Sequence, residues 1–171
     1  MTNKLINTGF TVVELMVTLA VAAVLFGYAL PAFNGMMSQS AMTTRINQFV
    51  LAVNYARSEA AKLGGMVSIQ SVDAGDPDNE WGPGYCVVVG NPGDCDPPAL
   101  QMFQPATGLT MDGIGDLDAV GTLSFNSRGL LIGGNAGEIQ LCSTDVDEDP
   151  GRSLFLNLIG RASVSELVCN P

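Results

Sequence analysis

Apolar residues follow two different rules along this chain. From Phe10 to Phe33 they are nearly continuous, and Glu14 is the sole formal charge; from Leu15 to Phe33 there are nineteen residues without any. A helix over that run would be about 28 Å long, close to the thickness of a bilayer core. The pattern therefore predicts a transmembrane segment over about 10–33. Beyond it, Ile46, Phe49, Val50, Val53, Ala56, Ala60 and Leu63 recur at spacings of three and four, the signature of a helix with one apolar face. Together the two stretches predict one long helix over 10–64, closed by Gly64-Gly65. Pro31 predicts a kink, because it lacks an N–H and its ring crowds the preceding turn.

After Gly65 the period changes to two. Strands are predicted over 66–72, 84–90, 100–103, 107–111, 122–125, 129–132, 138–142, 152–158 and 162–167, between segments rich in Gly, Pro, Asn and Asp. Asn126-Ser127-Arg128 reads as a hairpin turn, with Gly129 free to take an unusual backbone angle. The expected fold is α+β: a long N-terminal transmembrane and spine helix packed against an antiparallel β-rich domain over 65–171, a sandwich or a roll.

Charge narrows the function classes. The chain carries 7 basic and 17 acidic residues, a net charge of −10. That balance opposes a general electrostatic grip on DNA or on anionic lipid. There is no histidine, which removes a Ser-His-Asp triad and a His-based zinc site. No nucleophile and base converge in the sequence, so an enzyme is not expected.

Four cysteines, Cys86, Cys95, Cys142 and Cys169, suit an exported domain and allow three pairings. Pairing 86 with 95 and 142 with 169 is favoured because both close local loops without threading. Two acidic stretches offer carboxylates at short spacing: Asp73, Asp76, Asp78 and Glu80, then Asp145, Asp147, Glu148 and Asp149. Neither fits the twelve-residue calcium loop, so no cofactor is expected and calcium is disfavoured against a solvated acidic surface. Arg57 and Lys62 read as solvated helix residues.

The start of the chain carries a resemblance. Gly9-Phe10-Thr11-Val12-Val13-Glu14-Leu15 resembles the processing and methylation motif of type IV prepilins. The resemblance implies a leader over 1–9, cleavage after Gly9 by a prepilin peptidase, and methylation of the new Phe10 amine. Glu14 becomes the fifth residue of the processed chain. Its carboxylate, costly in an apolar setting, is expected to pair with the amine of Phe10 and fix axial register. An ordinary secretory signal would instead have its cleavage site after the apolar core.

Later segments resemble the GspH/FimT family of minor pilins. They are Asn54 to Ala60, Trp81-Gly82-Pro83-Gly84-Tyr85, Phe125 to Gly129, Leu141-Cys142-Ser143, Gly160-Arg161 and the terminal Cys169. The resemblance implies a minor pilin in type IV pilus assembly, in an initiating or tip complex. It implies partners among other major and minor pilins or pseudopilins through the N-terminal helix, and in the inner-membrane assembly machinery. Localisation is expected as single-pass in the inner membrane with a periplasmic domain, then in the pilus or pseudopilus. A minor pseudopilin of a type II secretion system has the same plan. A third reading, a DNA-binding subunit, draws on a Gly-Arg-x-Arg motif. Here Ser163 stands where the second arginine belongs, leaving Arg161, with Arg152 on the preceding strand, and DNA is disfavoured.

Overall fold

The computed structural model describes residues 10–96, 98–134, 136–144 and 150–169; the side chains of 29–35 lie outside the description. Among the described residues one α-helix, α1 (Val12–Leu63), precedes nine strands: β1 (Val67–Ser71), β2 (Tyr85–Val89), β3 (Gln101–Phe103), β4 (Leu109–Ile114), β5 (Thr122–Phe125), β6 (Leu131–Ile132), β7 (Gly137–Ser143), β8 (Pro150–Leu156) and β9 (Ala162–Val168). The chain divides into two compact units, one up to Ser38 and one from Gln39.

In the first unit, α1 begins where Thr11 caps it. The Thr11 hydroxyl accepts the N–H of Glu14 at 3.3 Å, and its carbonyl accepts the N–H of Leu15 at 3.2 Å. Both ends of the expected helix are close to those observed, but the membrane span is corrected. Among the described residues no helix is long and apolar enough to cross a membrane. The Glu14 carboxylate and the Thr18 hydroxyl interrupt the apolar run, and a charge on a helix in lipid is costly. The transmembrane half over 10–33 and the single-pass inner-membrane location both fall with it. The helix is unbroken through position 31; the Pro31 side chain falls outside the description.

In the second unit, α1 ends in a Schellman turn: Gly64 takes φ +64° and the Gly65 N–H reaches back to the Ala60 carbonyl at 3.2 Å. The strands form two antiparallel sheets, ordered β3-β2-β1-β5-β6 and β4-β7-β8-β9. Met42, Ile46, Phe49, Val53, Ala56 and Ala60 of α1 share one core with Ile69, Val87 and Phe125 of the first sheet and Met111, Ile139 and Leu154 of the second. The three-and-four spacing is therefore a packing face. Leu63, read as part of that face, is exposed, because it is the last residue before the chain turns away.

An aromatic cluster seats the helix. Phe49 meets Trp81 at 5.2 Å and Tyr85 at 4.9 Å, both edge-on, and Tyr85 stacks on Phe103 at 4.7 Å. Burial pushes the Tyr85 hydroxyl pKa up from its ordinary value.

All five residues of β1 are buried, because it is the central strand and is covered on both faces. On the second face Ser68 donates to the Gly90 carbonyl at 2.5 Å and shares a hydrogen bond with Ser124 at 2.8 Å. Cys95 Sγ lies 3.3 Å from the Gln70 carbonyl, so the loop after β2 forms part of that cover.

Candidate functional site

The N-terminal half of α1 is the first candidate surface. Phe10 is 78% exposed and Tyr28 80%, and Leu15, Met16, Val17, Leu19, Val24 and Leu25 are all more than half exposed. A contiguous apolar surface of that kind marks a contact surface. Glu14 is exposed at its start. Thr11 and Glu14 stand at the N-cap and N3 positions of a capping box, and a carboxylate there also meets the positive end of the helix dipole. Glu14 thus has a local role in starting the helix. Gly9, the expected processing residue, lies outside the described residues; Phe10 directly precedes the cap.

The second feature lies at the other end of α1. Two turns of the same form, Asn126-Ser127-Arg128-Gly129 and Asn157-Leu158-Ile159-Gly160, sit side by side. In the first, Asn126 Oδ1 accepts the N–H groups of Arg128 at 2.9 Å and Leu130 at 3.1 Å. In the second, Asn157 Oδ1 accepts the N–H of Arg161 at 2.9 Å. Each turn closes on a glycine at positive φ, +71° at Gly129 and +73° at Gly160. The Leu131 N–H bonds the Leu158 carbonyl at 3.1 Å, joining the two sheets. Arg57 Nε donates to the Gly129 carbonyl at 3.1 Å. A Cβ on Gly160 would stand 2.7 Å from the Gly129 carbonyl oxygen and 2.9 Å from Arg57 Nε, so only glycine fits. Arg57 is therefore a clamp between the helix and both sheets, not the solvated residue its spacing suggested. Lys62 is solvated, paired with Glu59 at 2.6 Å.

A third feature joins the first acidic loop to β4. Asp73 and Asp76 cap their own turns, accepting the N–H groups of Gly75 at 3.0 Å and Asp78 at 3.2 Å. Glu80 is fully buried. Its carboxylate accepts the N–H groups of Gly113 at 3.0 Å and Ala119 at 2.6 Å, and its backbone carbonyl accepts the Ser71 hydroxyl. Asp112 lies beside it, with Oδ1 buried and without a hydrogen-bond partner. Burial, then the charge of Glu80 and a hydrogen bond with it, then Asp78 and Asp118, push the Asp112 pKa up to about 6. Among the described residues no group of three acidic, Cys or His side chains is placed to hold a metal. Asp145, Asp147, Glu148 and Asp149 lie outside the described residues.

Two disulfides are formed. Cys86 and Cys95 are joined with Cα atoms 5.7 Å apart, and Cys142 and Cys169 with Cα atoms 5.9 Å apart. The second ties β7 to the residue after β9 and leaves no room at Gly151, where a Cβ would collide with Cys169 Sγ and approach the Leu141 carbonyl at 2.8 Å.

The two arginines considered for DNA are not brought together. Arg152 stands opposite Glu166 in the β8–β9 register and approaches it at 3.7 Å. Arg161 precedes β9 at the far end, where Leu156 pairs with Ala162. Four strand residues separate Arg152 from that end, about 13 Å.

These features, a helix half buried against two sheets, twin Asn-x-x-Gly turns and a C-terminal disulfide, coincide with a family match. The family model for type II transport protein GspH matches residues 45–160. The chain belongs to the GspH family. Two crystal structures of the type IV minor pilin FimU of Pseudomonas aeruginosa (strain PAO1) are similar. One is 23% identical with a TM-score of 0.61, covering 76% of this chain and 92% of that one. The other is 26% identical with a TM-score of 0.57, covering 74% and 91%. No curated protein sequence matches. This GspH-family chain is of the minor-pilin or pseudopilin kind, a non-enzymatic subunit of a pilus-like assembly. The matched residues include the Arg57 clamp and both turns.

Proposed function

We propose that the protein is a minor pilin that takes part in type IV pilus assembly, within an initiating or tip complex. The observation that carries this reading is the exposed apolar surface of α1 from Phe10 to Tyr28, on a chain whose fold resembles the minor pilin FimU. Such a surface is a free-energy liability in water and is stabilised when helices of neighbouring pilins cover it.

In this reading a prepilin peptidase cuts after Gly9 and methylates Phe10. The amine of Phe10 then pairs with Glu14, on the same or a neighbouring helix, and fixes axial register as the assembly machinery draws the subunit in. Pro31 marks where the packed half of the helix gives way to the half that carries the β domain. Arg152 and Arg161 have no DNA-binding role in it, since they lie apart on an acidic chain.

The family description, type II transport protein, supports a second reading, a minor pseudopilin of a type II secretion system. Deletion of the gene, with piliation and protein secretion assayed separately, decides between them. Loss of surface pili with intact secretion is expected. Loss of secretion with normal pili would replace the first reading by the second.

A further inference from the structure

An open sheet has two edges, and each leaves backbone N–H and C=O groups without a partner strand. The chain deals with three of its four edges itself. β3 and β6 are only three and two residues long. Along β4 the Leu109 N–H bonds the Ala106 carbonyl at 3.4 Å, and the Met111 carbonyl accepts the Trp81 N–H at 3.0 Å. The N–H groups of Met111 and Gly113 bond Asn79 Oδ1 at 2.8 Å and Glu80 Oε2 at 3.0 Å. β9 differs on every count. It is seven residues long, holds no proline, and pairs with β8 without a bulge. Among the described residues nothing lies beyond it in the sheet, and its backbone makes no hydrogen bond outside the ladder to β8.

The register says which groups are open. The Asn157 N–H bonds the Arg161 carbonyl at 3.1 Å, and the β8–β9 pairing continues from there. Bonded pairs recur at every second residue, so Ser163, Ser165 and Leu167 face β8. Ala162, Val164, Glu166 and Val168 turn their N–H and C=O groups outward. The side chains of those four share one face of the sheet; Val164 and Val168 are exposed, and the Glu166 side chain is 87% exposed beside a single arginine, Arg152, at 3.7 Å.

We infer that β9 is a docking edge, to which a neighbouring subunit of different sequence adds an extended strand with a lysine or arginine opposite Glu166. The inference rests on the filament-subunit reading. A row of open backbone donors and acceptors is matched by another extended strand, and the exposed valines and Glu166 select its side chains. A second copy of this chain fits poorly, because each copy carries a net charge of −10 and would bring its own Glu166 to the contact.

The test uses the full chain, made in the cell with a photo-crosslinking residue in place of Ser163, and irradiates sheared surface filaments. The expected product is a crosslink to a strand of another subunit, one that alternates apolar residues and carries a lysine or arginine, mapped by mass spectrometry. Its yield should fall about tenfold in Val164→Pro, which deletes one outward N–H and leaves the ladder to β8 intact. Denaturant unfolding of that variant should match the unaltered chain. Glu166→Lys, which alters no backbone group, should lower the yield to a similar degree. A crosslink to a second copy, a crosslink to a helix or loop, a yield indifferent to both substitutions, or no crosslink from filaments that contain the chain would each overturn the inference alone. Filaments from which the unaltered chain is absent would overturn the filament-subunit reading and the inference with it.

Discussion

The two halves of α1 are both rich in apolar residues, yet they meet opposite fates. Between Met42 and Ala60 the apolar residues lie on one face, and that face is buried against both sheets. Between Phe10 and Tyr28 they surround the helix, and nearly all are exposed. Periodicity is the physical difference. A one-sided stripe is satisfied by the chain's own β domain, whereas an all-round apolar surface exceeds what one domain can cover and calls for other molecules.

Substitutions on the two halves should separate folding from assembly. The largest effect is expected for Phe49→Ala, which removes the ring between Trp81 and Tyr85. A loss of about 3–5 kcal/mol should appear in denaturant unfolding. Leu19→Ala on the other half should leave that transition within about 0.5 kcal/mol of the wild type. Equal losses at the two sites would end the comparison.

Next in size are the covalent and charged ties that hold the buried half in place. Cys142→Ser/Cys169→Ser should cost about 2–4 kcal/mol by freeing the C-terminal strand in the unfolded chain. Thermal unfolding under non-reducing conditions measures it. Arg57→Ala removes the bond to the Gly129 carbonyl and should cost about 1.5–3 kcal/mol. Arg57→Lys should not restore it fully, because the clamp uses the planar guanidinium edge between two turns.

The smallest effect concerns pH. Asp112 has a folded pKa of about 6 against an ordinary 3.8, so the folded state holds the proton more tightly than the unfolded one. Stability is greatest below pH 3.8 as far as this group is concerned, falls as pH rises towards 6, and is flat above it. Asp112→Asn should remove that slope and stabilise the protein at pH 7 by about 1 kcal/mol, allowing for the partly solvated carboxyl. A slope unchanged in the variant would assign the titration to another group.

Much of the architecture was legible in periodicity. The helix end at Gly64-Gly65 and most strands follow from the switch between a spacing of three and four and a spacing of two. What the pattern could not show depends on distant partners. Arg57 meets Gly129 across 72 residues, and Glu80 meets Gly113 and Ala119 across 33 and 39. From sequence, Arg57 was one more polar residue on a helix and Glu80 one more acid in an acidic loop. Two signals were present and unread: the Thr-x-x-Glu capping box at Thr11 and the repeated Asn-x-x-Gly turn. The membrane span was read from the length of the apolar run and its lack of charge, and among the described residues no helix is long and apolar enough for it.

The central claim is that the exposed half of α1 is covered by other filament subunits while the other half folds the domain. Its most direct test is the amount of Leu19→Asp protein in sheared surface filaments, with the unfolding transition of the same protein measured alongside. Leu19 is 62% exposed and is not one of the buried core residues. The account predicts an unfolding transition like that of the wild type and a fall in incorporation of about tenfold or more, since a charge would be buried without a partner. A variant that unfolds normally and still enters filaments at the wild-type level would contradict it.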